Sequence, residues 1–244
     1  RKINLKLSPS KFTLSTSVKF GGTIISAEKV ADNSIIFLDP PDSRILAVTE
    51  MQQPESTKDV QKLMGMISSL MAWFPNINFS TPALRGAQAN KSKFIWTPEM
   101  NAEFEKVKII FTDQIRLSPF NPDREINILI DAAKTKGVGY CFFQYVNDDD
   151  PEGEVTIVNA NSSALKDNQM QFSAIDCEIL GLKFAVESNT YYLYGAKCIN
   201  IITDASTMEG IFQKNIADIE NKRIQHMVTK LMCYNFKFKH IPGK

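Results

Sequence analysis

The sequence predicts an α/β fold in two parts: a mixed five-stranded sheet with helices from residue 124 onward, and a smaller α+β segment before it. Hydrophobic periodicity carries the division, because it is helical over residues 56–74 and 97–111 and alternating once the chain has passed Pro119 and Pro122. Element order carries the class, since three closely linked strands are followed by a helix, a strand, two helices and a last strand. Length carries the count: 244 residues suffice for two modest units that each bury a core.

The opening reads as a hairpin, with Lys11-Phe12-Thr13-Leu14 and Val18-Lys19-Phe20 around a Ser-Thr-Ser turn. Gly21-Gly22 and the apolar Thr23-Ile24-Ile25 follow, and two glycines inside a strand predict a bulge or a close backbone approach. Pro40-Pro41 breaks the chain, and Asp42 is expected to cap a short helix through Val48. A second helix opens at Ser56, with Asp59 completing a weak capping box. It places Val60, Leu63, Met64, Ile67, Met71 and Phe74 on one face and should end before Pro75. Thr97-Pro98-Glu99 joins a capping hydroxyl, a first-turn proline and an acid at the positive helix end, so it starts a helix striped by Met100, Phe104, Val107 and Phe111.

In the second part Ile126, Ile128 and Ile130 share one face of a strand that is expected to end in Asp131. A turn over 134–137 leads to a strand from Gly139 to Tyr145, and the acidic loop 148–153 leads to a third from about Val155 to Ala160, an antiparallel meander. Ser173 and Asp176 form a capping pattern for a helix with Ile175, Ile179, Leu182 and Val186 on one face. The strand Ile199–Thr203 then runs into Asp204, and after two helical stretches a last strand alternates Phe236 and Phe238 with Lys237 and Lys239.

Asp131 and Asp204 each stand at the carboxyl end of an apolar strand, the sheet edge where ligands gather when strands run parallel. If those strands are neighbours, the two carboxylates meet. Asp176 and Glu178 lie about 200° apart on a helical wheel, so only one of them can face such a site. Clustered carboxylates repel unless a cation lies between them, and hard oxygen donors favour magnesium or manganese. Each acid also has a plainer use: a strand-terminal Asp bonds turn amides, and acids near a helix start complement its dipole.

Composition excludes several classes. No apolar run approaches the roughly 18 residues of a membrane span, so no membrane partner is expected. Arg1 to Lys6 lack the features of a secretory signal and read as a chain cut from something longer. Cys141, Cys177, Cys198 and Cys233 are too scattered for a zinc site or a disulfide framework and read as reduced, buried thiols of an intracellular protein, cytoplasmic or nuclear. The net charge of +1 conceals an asymmetry: residues 1–124 carry 16 Lys+Arg against 12 Asp+Glu, and residues 125–244 carry 12 against 15. A basic front beside an acidic metal site suits a protein that tracks phosphates and cuts them.

The wording of the residues goes further. Ile128-Leu129-Ile130-Asp131-Ala132-Ala133 with Gly137-Val138-Gly139-Tyr140 and Gln144 resembles the first two strands of the ribonuclease H domain in gypsy-class LTR retrotransposon polyproteins. Further matches follow in order: Ser163-Ala164-Leu165, Phe172 through Leu180, Tyr191-Tyr192-Leu193-Tyr194-Gly195, Ile202-Thr203-Asp204, Asn221-Lys222-Arg223 and His240-Ile241-Pro242-Gly243-Lys244. In the front part, Leu7 to Lys11 with Val18 through Gly22 and Ile25-Ser26 resembles the reverse-transcriptase hairpin that grips the primer end. Gln53-Pro54, Leu63-Met64-Gly65, Phe74-Pro75-Asn76 and Pro82 to Arg85 resemble the thumb, and Phe94 to Glu99 with Phe104 the connection.

The resemblance implies a palm end and primer-grip-like hairpin over residues 1–30, a thumb/connection segment over 31–123 and a ribonuclease H-like domain over 124–244. It implies removal of RNA from RNA/DNA hybrids during reverse transcription. Asp131, Glu178 and Asp204 become ligands of a two-metal site for Mg2+ or Mn2+, with Glu178 favoured over Asp176. A fourth carboxylate is expected past Lys244, and the polymerase aspartates before Arg1. The expected partners are RNA/DNA hybrid, primer-template nucleic acid and the rest of the polyprotein. Gly21, Gly22, Arg223, Lys237, Lys239 and His240 are the candidates for touching nucleic acid, against plain turn, surface and solvated-charge roles.

Ala133, Ser163 and Ala205 depart from the family's usual Ser, Arg and His. These departures keep a second reading open, a non-catalytic decayed or domesticated module that binds nucleic acid or a protein partner. An integrase-like enzyme on the same fold is a third. His226 is expected at the surface, and Trp73, Phe74 and Trp96 as core or interface anchors.

Overall fold

The computed structural model describes residues 13–30, 33–89, 94–134, 137–150 and 152–242. The chain opens with β1 (Ser17–Phe20), β2 (Thr23–Val30) and β3 (Asn33–Asp39), an antiparallel sheet in that spatial order. The turn between β1 and β2 is Gly21-Gly22, with φ of 59° and 83°. Positive φ at both central residues suits the twist of a two-residue hairpin, so these glycines make the turn and not a bulge. The expected hairpin around Ser15-Thr16-Ser17 rests on Lys11 and Phe12, which lie outside the described residues; among those described the chain bends at Ser15-Thr16, the Ser17 amide donates to Ser15 Oγ at 3.3 Å, and Ser17 begins β1.

Helix α1 (Asp42–Thr49) starts after Pro41, which holds the cap position without a side-chain bond. Asp42 thus sits in the first turn rather than at the cap expected of it. Helix α2 (Thr57–Leu70) begins as expected, with Ser56 Oγ accepting from the Asp59 amide at 3.2 Å. It buries Val60, Leu63, Met64, Ile67 and Leu70; the chain then tightens into 3-10 turns over Met71–Trp73 and Pro75–Ser80. Helix α3 (Pro82–Ala89) receives the Glu103 carboxylate on the amides of Ala83 and Leu84 at 2.8 and 2.9 Å. Helix α4 (Pro98–Ile110), which carries Glu103, is capped by Thr97 Oγ1. Trp73, Phe74, Phe104 and Phe111 close one core with the α2 stripe, each fully buried side chain contributing roughly 1.5–3 kcal/mol.

The second sheet comprises β4 (Asn127–Ala133), β5 (Gly137–Tyr145), β6 (Val155–Ala164), β7 (Ile199–Thr203) and β8 (Phe236–His240), in the order β6-β5-β4-β7-β8. The first three form the expected meander, while β7 lies parallel to both β4 and β8. Between β6 and β7 runs α5 (Ala174–Leu193); α6 (Thr207–Gln213) and α7 (Lys222–Leu231) separate β7 from β8. Ile128 and Ile130 pack against Leu182 and Ala185 of α5. Gly181 permits this approach, because a Cβ there would stand 2.8 Å from Ile130 Cγ2.

A short stretch at Leu117 and Ser118 joins the sheets. The Leu38 amide of β3 donates to the Leu117 carbonyl at 2.7 Å, and the Ser118 amide donates to Ile157 of β6, also at 2.7 Å. Leu117 bridges antiparallel to Leu38 and parallel to Ile157. The turn over Pro75–Ser80 adds a polar seam, with Asn78 Nδ2 donating to the Ser162 carbonyl at 2.7 Å and Ser162 Oγ donating to the Pro75 carbonyl. Among the described residues no helix is long and apolar enough to cross a membrane.

Candidate active site

The parallel pairing of β4 with β7 sets Ile128 beside Ile201 and Leu129 beside Ile202. Carried two residues further, that register puts Asp131 beside Asp204, the meeting that the sequence left conditional. Strand β4 does not end at Asp131, as expected, but continues through Ala133, because Asp131 still pairs with Gly139 of β5. Asp131 shares the face of Leu129, away from α5, and lines a cleft of about 320 Å³ with Phe79, Cys141 and Ser162. Asp204 follows β7 directly and is exposed. Its turn is tied down by the Ala205 amide on Thr203 Oγ1 at 3.1 Å and by His240 Nε2, 3.0 Å from the Asp204 carbonyl.

Glu178 arrives from the opposite face, on the second turn of α5, and is only 8% exposed. Its Oε2 has no hydrogen-bond partner among the described residues. Burial first, then the charges of Asp204 and Asp131, push its carboxyl up to about 7. Glu178 is therefore the acid turned toward the pair. Asp176 is occupied elsewhere: it accepts from the Ser173 amide and hydroxyl, from Asn221 Nδ2 and from Arg223 Nη1. Burial works against its charge, but the two Ser173 bonds and Arg223 outweigh it and hold its carboxyl below the usual range.

Three carboxylates thus address one sheet edge from both faces, one of them buried with an oxygen, Glu178 Oε2, that has no hydrogen-bond partner among the described residues. Hard oxygen donors in mutual repulsion fit a divalent cation of the magnesium or manganese kind. Among the described residues no three His, Cys, Asp or Glu side chains are already drawn into a set able to hold an ion.

The remaining candidates are scattered. Gly21 and Gly22 lie in the first sheet's turn, with the Arg44 guanidinium packed over Gly22. Lys237 and Lys239 project outward from β8 as expected, beside the exposed His240. Arg223 is engaged by Asp176 and stacks 4.1 Å above the Phe172 ring. His226 is exposed on α7. Sequence reasoning missed the link from Asn221 and Arg223 to Asp176; the available signal was an Asn in a helix-capping position just before Arg223.

Residues 121–234 match the model of the RNase H-like domain found in reverse transcriptase. Along its whole length the chain is 23% identical to the retrovirus-related Pol polyprotein from transposon opus of Drosophila melanogaster, and it spans 24% of that relative. The fold is similar to the foamy viral protease-reverse transcriptase solved in complex with RNA/DNA hybrid, with a TM-score of 0.73 at 12% identity over 93% of this chain and 29% of that one. The same enzyme in complex with dsDNA superposes with a TM-score of 0.74 at 12% identity, over 95% of this chain and 46% of that one.

Proposed function

We propose that this chain is a reverse transcriptase/ribonuclease H part of a gypsy-class retroelement polyprotein, and that its second part hydrolyses the RNA strand of RNA/DNA hybrids with Mg2+ or Mn2+. The observation that carries this reading is the buried, unpartnered Glu178 carboxylate aimed at Asp131 and Asp204. In this reading all three acids hold metal. Bound ions would supply the activation of water and the stabilisation of the leaving oxygen. The protein's own part is positioning: β4 and β7 bring Asp131 and Asp204 side by side, α5 delivers Glu178 from the other face, and no side chain serves as nucleophile. Lys237 and Lys239 face outward along β8 and His240 adjoins Asp204, a line of groups that would meet backbone phosphates.

The front part takes the roles of primer-grip-like hairpin, with Gly21-Gly22 at its tip, over residues 1–30 and thumb/connection over 31–123, ahead of the nuclease over 124–244. The foamy viral structures with hybrid and duplex DNA support nucleic acid as the partner. The test is cleavage of an RNA strand annealed to DNA in Mg2+ or Mn2+, with RNA/RNA and DNA/DNA duplexes as controls. Hybrid-specific cleavage that Asp204→Asn abolishes is the expected result; undiminished cleavage by that variant would remove Asp204 from the mechanism.

A further inference from the structure

The bonds around Asp176 exceed what a helix cap requires. Ser173 alone completes the capping box of α5: its hydroxyl receives the Asp176 amide at 3.3 Å, and its own amide donates to Asp176 Oδ2 at 3.0 Å. Yet Asp176 also draws in two groups from α7. Asn221 Nδ2 donates to Oδ1 at 3.0 Å and Arg223 Nη1 to Oδ2 at 3.1 Å. Asn221 is itself the cap of α7, its Oδ1 accepting from the amides of Arg223 and Ile224. One buried carboxylate, its side chain 3% exposed, therefore fastens the starts of two helices to each other.

Below this point α5 and α7 touch through apolar side chains, Ile179 against Ile224, Met227 and Val228. Apolar contacts are non-directional and tolerate small slides and rotations. Charge-assisted hydrogen bonds of fixed geometry do not. They act on the first turn of α5, next to the turn that carries Glu178, so the height and rotation of that carboxylate relative to Asp131 and Asp204 depend on them.

We propose that Asp176, Asn221 and Arg223 form a latch between α5 and α7 that positions Glu178 for cation binding. The latch rests on the reading of Asp131, Glu178 and Asp204 as the cation site. None of its three members touches the reacting atoms, so they are positioning residues.

The experiment is calorimetric titration of the 244-residue chain with Mn2+, together with hydrogen exchange at the amides of residues 177–180. Glu178→Gln should abolish tight binding, which tests the site itself. Arg223→Met keeps an aliphatic stem over Phe172 but removes the donors, and Asp176→Asn removes the charge at constant shape. Each should weaken Mn2+ binding about tenfold, the order seen when groups behind a metal ligand are lost. Each should also speed exchange at 177–180 without changing exchange in β4 and β5. Arg223→Lys, which restores charge, should return affinity to within about threefold of the original.

Wild-type affinity in both Arg223→Met and Asp176→Asn, with binding lost in Glu178→Gln, would overturn the latch and leave the site standing. Unchanged binding in Glu178→Gln, or no binding by the wild type, would overturn the site and the latch with it. Should Asp176→Asn fail to fold, Arg223→Met decides, because that side chain is 46% exposed and its replacement leaves no cavity in the core.

Discussion

The Nε2 of His240 lies 3.0 Å from the backbone carbonyl of Asp204. A carbonyl only accepts, so this nitrogen carries the proton, and the imidazole holds the turn that presents the Asp204 carboxylate. The Ile241 amide reaches the Thr203 carbonyl at 3.0 Å, so β8 secures the end of β7 from its whole outer side. Replacing His240 by Phe keeps a strand-forming ring and removes the donor. The expected cost is about 0.5–1 kcal/mol in urea unfolding, together with weaker Mn2+ binding in calorimetry. Identical stability and affinity would mean that the turn holds itself.

Glu178 gives a pH dependence of defined sign. Its carboxyl is raised from the ordinary 4.5 to about 7 by burial and by its two acidic neighbours. The folded chain therefore binds this proton more tightly than the unfolded chain does. The stability it contributes is complete below about pH 4.5 and is lost as pH rises through about 7. Glu178→Gln cannot ionise, so in EDTA at pH 8 it should be more stable than the wild type by on the order of 2 kcal/mol. The difference should vanish near pH 4. Urea unfolding at the two pH values measures both.

The four thiols should divide into two pairs. Cys198 and Cys233 are exposed, which corrects the expectation of four buried thiols; Cys177 is buried, and burial pushes the Cys141 thiol up to about 11. Only the thiolate attacks an alkylating reagent. With iodoacetamide at pH 7.5, mass spectrometry should find Cys198 and Cys233 modified first, and the other pair only once the chain is unfolded. Early labelling of Cys141 would contradict the packing around β5.

Gly181 tests the seat of α5 on the sheet. Alanine is the better helix former by about 1 kcal/mol. Here, however, its Cβ would press within 2.8 Å of Ile130 Cγ2, a branched methyl in a full core. Gly181→Ala is expected to lose about 1–2 kcal/mol in net stability despite its propensity, and Gly181→Val more. A stabilised Gly181→Ala would show that α5 is free to move outward.

What could be read in the sequence was mostly local. Ser56 with Asp59, Thr97 with Pro98, and Ser173 with Asp176 are signals within three residues, and each helix starts where they say. Alternation identified β4 and β8, and the wheel angle between Asp176 and Glu178 showed that only one of them could face Asp131 and Asp204; the family resemblance favoured Glu178. Gly21-Gly22 reads as a bulge in the sequence because the handedness that makes it a turn shows only in φ. Links between distant residues left no local trace: Asn221 meets Asp176 across 45 positions, and the Leu38 amide meets the Leu117 carbonyl from the far side of helices α1 to α4 in the chain.

Leu117 has one more effect, on how copies of the chain treat one another. Strands β3 and β6 lie at the rims of their sheets, and an uncovered rim offers unpaired amides and carbonyls to any passing strand. The short stretch through Leu117 and Ser118 fills part of both rims at once, and the turn over Pro75–Ser80 shields β6 further along. A second part excised at residue 124, where periodicity changes, would leave that shield behind. Its solubility, more than its chemistry, would then limit what could be done with it.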